Sequence, residues 1–191
     1  DEEKKFTSVS IDNIKAGYDA TKYLYENGHT DVGYIMGSSD VYTMCKDRII
    51  GFNRAVEEFG LNAQEEWCVE CVSPKFADND AYEGNEAMEQ ILASKQLPTA
   101  IFTANDEIAL GAIKCIESRG LKVPGDISVV GFNDYWISEW TKPEITTVAY
   151  AMYDVGAVCA RQLIKKINSS SKELNADDSM VIPHDIGKEF E

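Results

Sequence analysis

Basic residues are scarce in this 191-residue chain: 18 lysines and arginines stand against 33 aspartates and glutamates, a formal net charge of −15. No segment concentrates lysine and arginine on one face, so these residues are not expected to bind a phosphate backbone themselves. No apolar run approaches the roughly 18 residues that span a bilayer. The charged start of the chain, Asp1 to Lys5, is also unlike a signal peptide. We expect a cytoplasmic protein with no membrane partner.

The motifs of common α/β enzymes are missing as well. The sequence contains no GxGxxG loop, no GxxxxGK[ST] phosphate loop, no GxSxG elbow and no pair of metal-binding histidines. The segment MGSSD, which follows a predicted strand, has one glycine and no lysine, so it does not match a phosphate loop. We therefore expect no enzymatic activity and no cofactor.

The five cysteines are an odd set scattered along the chain, which fits reduced thiols better than a disulfide framework. Cys68 and Cys71 have the spacing of half a zinc site. Two positions three apart on a strand point to opposite faces, however, and no second cysteine pair follows. The pattern therefore predicts free thiols and no bound metal.

The most informative stretch present is TAIFTANDEIALGAIKCI, residues 99–116. A short apolar run stops at Asn105-Asp106 and then continues with helical spacing, which predicts a buried strand turning into an amphipathic helix. Asp106 is placed to cap the first helical turn. Asn105 then lies at the carboxyl end of a parallel strand, where open α/β sheets bind their ligands.

Similar strand-then-helix units occur on both sides of this stretch and predict a parallel sheet covered by helices on both faces. After Asn133-Asp134 the alternation gives way to an aromatic-rich segment. The predicted strands are 9–11, 32–36, 68–72, 100–102, 127–132, 145–148 and 180–182. The predicted helices are 14–26, 43–59, 81–94, 106–119 and 152–167.

Several separated motifs carry a family resemblance, because they agree in order and spacing. These motifs are VSIDNIKAGYDATKYLYENGHTDVGYIMG, DRIIGF, PTAIFTANDEIALGAI, GLKVPGDISVVGFND and ITTV, and the match extends from about Val9 to Gly156. The chain resembles the effector-binding part of LacI/GalR-type transcriptional regulators. That resemblance implies the type I periplasmic-binding-protein fold, in which two α/β lobes hold a small molecule between them. The implied fold of this chain is half of that structure, a three-layer sandwich.

The resemblance also divides the chain. It implies that residues 9–144 form the second lobe and that 145–170 supply a crossing strand and a helix of the first lobe. Residues 171–191 would be a return segment and a tail. We expect the apolar face of helix 152–167 to have lost its partner, so that this helix swaps onto another copy, packs differently or is disordered.

Three residues are implied to contact the effector at matching motif positions. Arg48 offers a rigid fork of donors for hydroxyls or a carboxylate; the alternative is a surface arginine paired with Asp47 or Glu58. Asn105 can donate and accept at once; the alternative is a turn residue that bonds only its own backbone. Asn133 stands where many relatives have an aspartate, and its neutral amide forgoes a charge-assisted hydrogen bond of roughly twice the strength.

Two further residues are candidates for contact with the effector. Tyr150 stands where a glutamine is frequent, and it either stacks on a ligand ring or packs at the hinge. Phe76 lies in the loop where relatives often place an aromatic residue against the effector, although this loop is longer here.

The implied partners are a small-molecule effector, which we expect to be a sugar, and a second copy of the chain. Tyr135, Trp136 and Trp140 either cover the core or form part of a homodimer interface, where aromatic residues are enriched. DNA would be bound through an N-terminal helix-turn-helix absent from this sequence. The same fold also serves solute-binding proteins of sugar transporters, and this remains the alternative function.

Overall fold

In the computed structural model the described residues are 8–37, 42–71, 80–168 and 180–187. These residues form the following strands: β1 (Val9–Ile11), β2 (Val32–Gly37), β3 (Cys68–Cys71), β4 (Ala100–Thr103), β5 (Ser128–Phe132), β6 (Thr146–Tyr150), β7 (Met180–Ile182) and β8 (His184–Gly187). The helices are α1 (Asn13–Glu26), α2 (Thr43–Phe59), α3 (Asp80–Leu92), α4 (Asp106–Ser118) and α5 (Met152–Asn168). A short 3-10 helix, Trp136–Glu139, lies between β5 and β6.

The chain divides into two compact units. The larger unit comprises Asn13–Ala149 and Ile186–Glu191, and the smaller comprises Asp1–Asp12 and Tyr150–Asp185. Each unit therefore combines segments that lie far apart in the sequence.

A six-stranded sheet in the order β3-β2-β4-β5-β6-β8 organises the larger unit. The pairs from β3 to β6 are all parallel, with Gly33 beside Ile101 and Ile101 beside Val129 in register. Nearly every residue of β2, β4 and β5 is buried. Such continuous burial is typical of parallel strands that are covered on both faces. The predicted α/β class with a mostly parallel sheet is confirmed.

The helices of the larger unit pack in two tight pairs, α1 with α2 and α3 with α4. Glycines permit the close approach: a Cβ on Gly51 would collide with the Ile14 carbonyl, and one on Gly111 with the Ala81 carbonyl. The connections β2–α2–β3 and β4–α4–β5 run across the sheet in opposite directions. Right-handed crossovers therefore place α2 and α4 on opposite faces, which makes the unit a three-layer sandwich.

The smaller unit contains a two-stranded sheet and one helix. β1 pairs in parallel with β7, matching Val9 to Met180, and α5 lies against β1. None of the residues of α5 is buried. Several large apolar side chains of this helix are exposed: Met152, Tyr153, Leu163, Ile164 and Ile167.

The structure corrects the predicted elements near the carboxyl terminus. β8 was not predicted, because four residues containing an aspartate and a glycine have no strand pattern and become a strand only through pairing in the sheet. β6 continues to Tyr150, beyond the predicted end at Val148. On its other side β6 pairs with β8, so this strand has two neighbours in the sheet.

Candidate functional site

The candidate site lies where β2, β4 and β5 end beside one another. After β2 the chain turns towards β3, whereas after β4 it turns the other way, towards β5. In open α/β sheets such a reversal leaves a crevice at the carboxyl ends of the two strands, and ligands bind there. The topology therefore indicates a ligand site at the carboxyl ends of these strands. Gly37, Thr103 and Phe132 mark this carboxyl edge of the sheet.

Arg48 of α2 reaches this edge and is only 5% exposed. Its Nη1 donates to the Ala104 carbonyl over 2.7 Å, and its Nε donates to Asn13 Oδ1 over 2.9 Å. The guanidinium carbon lies 3.4 Å from the centre of the Phe132 ring. A planar cation stacked on an aromatic face with two directed hydrogen bonds is held in one orientation. One side chain thus joins α1, the end of β4 and the end of β5.

The burial of Arg48 tests the interpretation that it is a surface arginine paired with Asp47 or Glu58. That interpretation is wrong, because the side chain is enclosed beneath the carboxyl edge. Neither Asn13 nor Phe132 is marked as a site residue by any sequence pattern. Their role depends on which strand ends meet, and only the tertiary fold determines that.

Asn105 is the N-cap of α4. Its Oδ1 accepts from the Ile108 N–H over 2.8 Å, and its Nδ2 donates to Asp80 Oδ2 over 2.6 Å. The prediction that Asp106 caps this helix is therefore wrong. Because the helix begins at Asp106, the preceding residue has the extended backbone of a cap, with φ −159° and ψ 174°. Asn105 still lies at the carboxyl end of β4, now fixed by two hydrogen bonds.

Asp106 is completely buried and has a different task. Its Oδ1 accepts from the Thr147 hydroxyl over 2.6 Å, and its Oδ2 accepts from the Tyr135 N–H over 2.7 Å. Burial raises the pKa of this carboxyl, while the hydrogen bonds from Thr147 and Tyr135 favour its ionised form. A Cβ on Gly131 would collide with Oδ1, so this strand position requires glycine.

Asn133 and Asp134 form a turn directly after β5. Both have positive φ, 99° and 52°, a region that residues other than glycine rarely occupy. The backbone is held by Asn133 N–H donating to Val148 O over 2.9 Å and by Asp134 N–H donating to Thr147 Oγ1 over 3.3 Å. The half-buried Asn133 side chain hydrogen-bonds to no residue that the structure describes. Its amide is thus placed at the carboxyl end of β5 without a described internal role.

Of the other two implied effector contacts, Tyr150 and Phe76, the structure describes only Tyr150. Tyr150 is half-buried and is the last residue of β6, where the smaller unit begins. Phe76 lies outside the described residues. Both remain predictions.

Two tryptophans project from the 3-10 helix region that follows the Asn133–Asp134 turn. Trp136 is 72% and Trp140 79% exposed, and their rings meet edge to face with centroids 6.4 Å apart. The interpretation that both cover the core is therefore wrong. Tyr135 is half-buried and contributes its backbone N–H to Asp106. The interface role of these residues remains a prediction.

The cysteine pair on β3 has no sign of reactivity. Burial raises the pKa of Cys68 to about 11 and of Cys71 to about 12, so both thiols stay protonated at neutral pH. All five cysteines lie within the described residues and are free thiols. The described residues contain no cluster of three or more histidine, cysteine, aspartate or glutamate side chains suited to a metal ion. No described helix has the length and hydropathy needed to cross a membrane.

Comparison with known proteins agrees with the motifs. Residues 21–183 match the model of the periplasmic binding protein-like domain. Catabolite control protein A of Priestia megaterium is 36% identical over 180 residues, covering 94% of this chain and 51% of that protein. The HTH-type transcriptional repressor PurR of Pasteurella multocida is 39% identical over 172 residues, covering 90% of this chain and 49% of that protein.

Solved structures agree with the fold. The crystal structure of the transcription regulator CcpA of Lactococcus lactis matches with a TM-score of 0.83 and 28% identity, covering 98% of this chain and 65% of that one. The chain belongs to the periplasmic binding protein-like domain family, in the branch of LacI-type transcriptional regulators. It spans about half the length of the curated relatives it matches.

Proposed function

We propose that this chain is part of the effector-binding domain of a LacI/GalR-type transcriptional regulator and takes a small polyhydroxy molecule, such as a sugar, at the carboxyl edge of its sheet. The observation that carries the proposal is the placement of Arg48. Its guanidinium is buried at the crevice between β2 and β4, where it stacks on Phe132 and donates to the Ala104 carbonyl. The family relation supports the same function.

The chemistry of the edge favours neutral hydroxyl groups as ligands. Arg48 brings a guanidinium to this edge, and the Asn133 amide can donate and accept simultaneously, which matches a hydroxyl that does both. Asn105 supports the edge chiefly as a cap, although its amide also lies at the end of β4. These groups bind and orient a ligand without reacting with it.

The proposed mechanism is a shift in population between two arrangements of the parent regulator. An effector that makes more contacts in one arrangement favours it by the difference in binding free energy. DNA binding would belong to a helix-turn-helix outside these 191 residues, and the regulator would act in the cytoplasm as a homodimer. The relatives named above are regulators, which supports this function over that of a transporter's solute-binding protein.

Chemical-shift mapping tests the binding site directly. The ¹⁵N-labelled chain is titrated with D-ribose, D-glucose and D-galactose in turn, to about ten times a Kd of about 1 mM. We expect at least one sugar to shift the signals of Arg48, Asn105 and Asn133 and to leave those at the opposite end of the sheet unchanged. A parallel titration with sodium phosphate probes an anionic ligand. Sugar-induced shifts confined to other regions, or none with any sugar, would contradict the proposal.

A further inference from the structure

We infer that Asp106 is a positioning residue that sets the orientation of the Asn133–Asp134 turn and links it to the exposed Trp136–Trp140 surface. The inference rests on the proposed function for the part played by Asn133. It concerns a side chain that the effector would not need to touch, because Asp106 is completely buried beneath the edge.

The first step of the argument is the unusual backbone of the turn. Two consecutive residues other than glycine have φ of 99° and 52°. Such conformations persist only where the surroundings determine them. Asn and Asp are the residues other than glycine that adopt positive φ most readily, and hydrogen bonds to Val148 and Thr147 of β6 hold the backbone at both positions.

Asp106 adds hydrogen bonds from α4. Its carboxylate accepts the Tyr135 N–H over 2.7 Å, immediately after the turn. The Thr147 hydroxyl donates to the same carboxylate over 2.6 Å and accepts the Asp134 N–H over 3.3 Å. The carboxylate therefore holds the turn directly at Tyr135 and, through Thr147, at Asp134.

The same bonds continue towards the surface. Tyr135 directly precedes the 3-10 helix, Trp136–Glu139, and Ser138 Oγ donates to Asp134 Oδ1 over 3.3 Å. The Ile145 N–H donates to the Ser138 carbonyl over 3.0 Å. The turn that carries Asn133 and the helix that carries Trp136 thus form one hydrogen-bonded segment fastened to Asp106. A displacement of Asn133 is transmitted to the tryptophan pair through this segment.

The test uses Asp106→Asn in the full chain. The amide keeps the shape of the side chain but removes its charge and one of its two acceptor oxygens, so the hydrogen bonds that join it to the Tyr135 N–H and the Thr147 hydroxyl are weakened. We expect shifted NMR signals for the Tyr135 amide and for the Trp136 and Trp140 indole N–H groups. The indole of buried Trp67, which donates to the Gln96 carbonyl, serves as the internal reference and keeps its position. Glu107→Gln, which removes an exposed neighbouring charge, serves as the matched control.

The result that overturns the inference is a folded Asp106→Asn variant whose Tyr135, Trp136 and Trp140 signals match those of the parent chain. If the Trp67 signal also moves, the change in Asp106→Asn is not confined to the turn, and two variants of Thr147 are compared instead. Thr147→Val removes the hydroxyl while leaving the carboxylate, and must shift the Asp134 and Tyr135 amides, whereas Thr147→Ser keeps the hydroxyl and must restore them. Unchanged signals in the valine variant overturn the inference equally.

The proposed function and this inference fail in different ways. If the carboxyl edge is not an effector site, no sugar shifts the Asn133 side-chain signal in the parent chain, while Asp106→Asn still displaces the turn. If Asp106 is not the positioning residue, sugars shift Asn133 to the same extent in the parent chain and in Asp106→Asn. In the expected result, the shift seen with D-ribose, D-glucose or D-galactose falls at least several-fold in the variant.

Discussion

At the scale of the single residue, Arg48 combines two roles that sequence reasoning treats as alternatives. Its position matches the ligand-facing arginine implied by the family resemblance, yet its hydrogen bonds to Asn13 and Ala104 also hold α1 and β4 together. A side chain with both roles makes a poor test of binding when truncated, because truncation also loosens the edge. Substitutions at Asn133 separate binding from stability more cleanly.

The stabilising role of Arg48 has its own prediction. Arg48→Lys keeps the positive charge but loses the planar fork and the stacking on Phe132, so we expect the free energy of unfolding to fall by about 1–3 kcal/mol. Arg54→Lys on the exposed side of the same helix should change it by less than about 0.5 kcal/mol. Urea unfolding measures both. Equal effects of the two substitutions would show that the Arg48 contacts do not stabilise the fold.

His29 gives a prediction for pH dependence at the opposite end of the sheet. Its Nδ1 lies 3.0 Å from Thr99 Oγ1, which itself donates to the Asp31 carbonyl, so the neutral imidazole donates here. Burial lowers the pKa of His29 below 6.5. The unfolded chain therefore binds a proton more readily than the folded chain, and stability is lost as the pH falls through and below about 6.5.

The measurement is urea unfolding at about pH 7.5 and about pH 5.5. The parent chain should lose stability on acidification, and His29→Gln should lose less. His184→Gln changes the other histidine of the chain and serves as the control. A loss in His29→Gln equal to that of the parent chain would show that His29 does not contribute to it.

At the scale of the element, periodicity and turn residues were sufficient to predict most helices and strands. The stretch 99–116 folds as predicted, a buried strand turning into an amphipathic helix, because its apolar spacing changes at Asn105-Asp106. Which of these two residues caps the helix could not be predicted, since both side chains are good caps. Thr147 and Tyr135, from a distant part of the chain, donate hydrogen bonds to the Asp106 carboxylate, so Asn105 caps the helix instead.

Other features of the site depend on tertiary contacts in the same way. The stacking of Arg48 on Phe132 requires α2 and β5 to meet at one edge, and nothing local to either segment encodes that meeting. β8 likewise exists only through pairing in the sheet. Local patterns therefore predicted the elements and the motif positions, whereas the fold determined their partners.

Helix packing yields a prediction with an internal contrast. A Cβ on Gly111 of α4 would collide with the Ala81 carbonyl of α3, so Gly111→Ala should destabilise the larger unit by about 1–3 kcal/mol. Gly156 of α5 has no described atom near its hypothetical Cβ, so Gly156→Ala should instead stabilise that helix by about 0.5–1 kcal/mol. Thermal unfolding followed by circular dichroism measures both. A Gly111→Ala variant as stable as the parent chain would contradict the close packing of α3 on α4.

At the scale of the whole molecule, the exposed aromatic pair predicts self-association. Trp136 and Trp140 lie largely in solvent, an unusual position for two large aromatic side chains. We expect light scattering to give twice the chain mass of 21.2 kDa for the parent chain, and 21.2 kDa for a variant combining Trp136→Ser with Trp140→Ser.

The exposed face of α5 offers the matched control for this experiment. A variant combining Leu163→Ser with Ile167→Ser removes apolar surface of similar exposure from the other unit. We expect it to remain dimeric. A dimer that is abolished by the α5 substitutions but retained with the tryptophan substitutions would place the interface on α5. A monomeric parent chain would contradict the predicted dimer.

The most direct test of the central claim compares Asn133→Gly with the parent chain for binding and stability together. Glycine adopts a φ of 99° without strain, so the free energy of unfolding should be unchanged or rise by about 1 kcal/mol. The missing amide should weaken binding of the responsive sugar at least tenfold, measured by NMR titration. An Asn133→Gly variant that binds this sugar as well as the parent chain would contradict an effector site at the carboxyl edge.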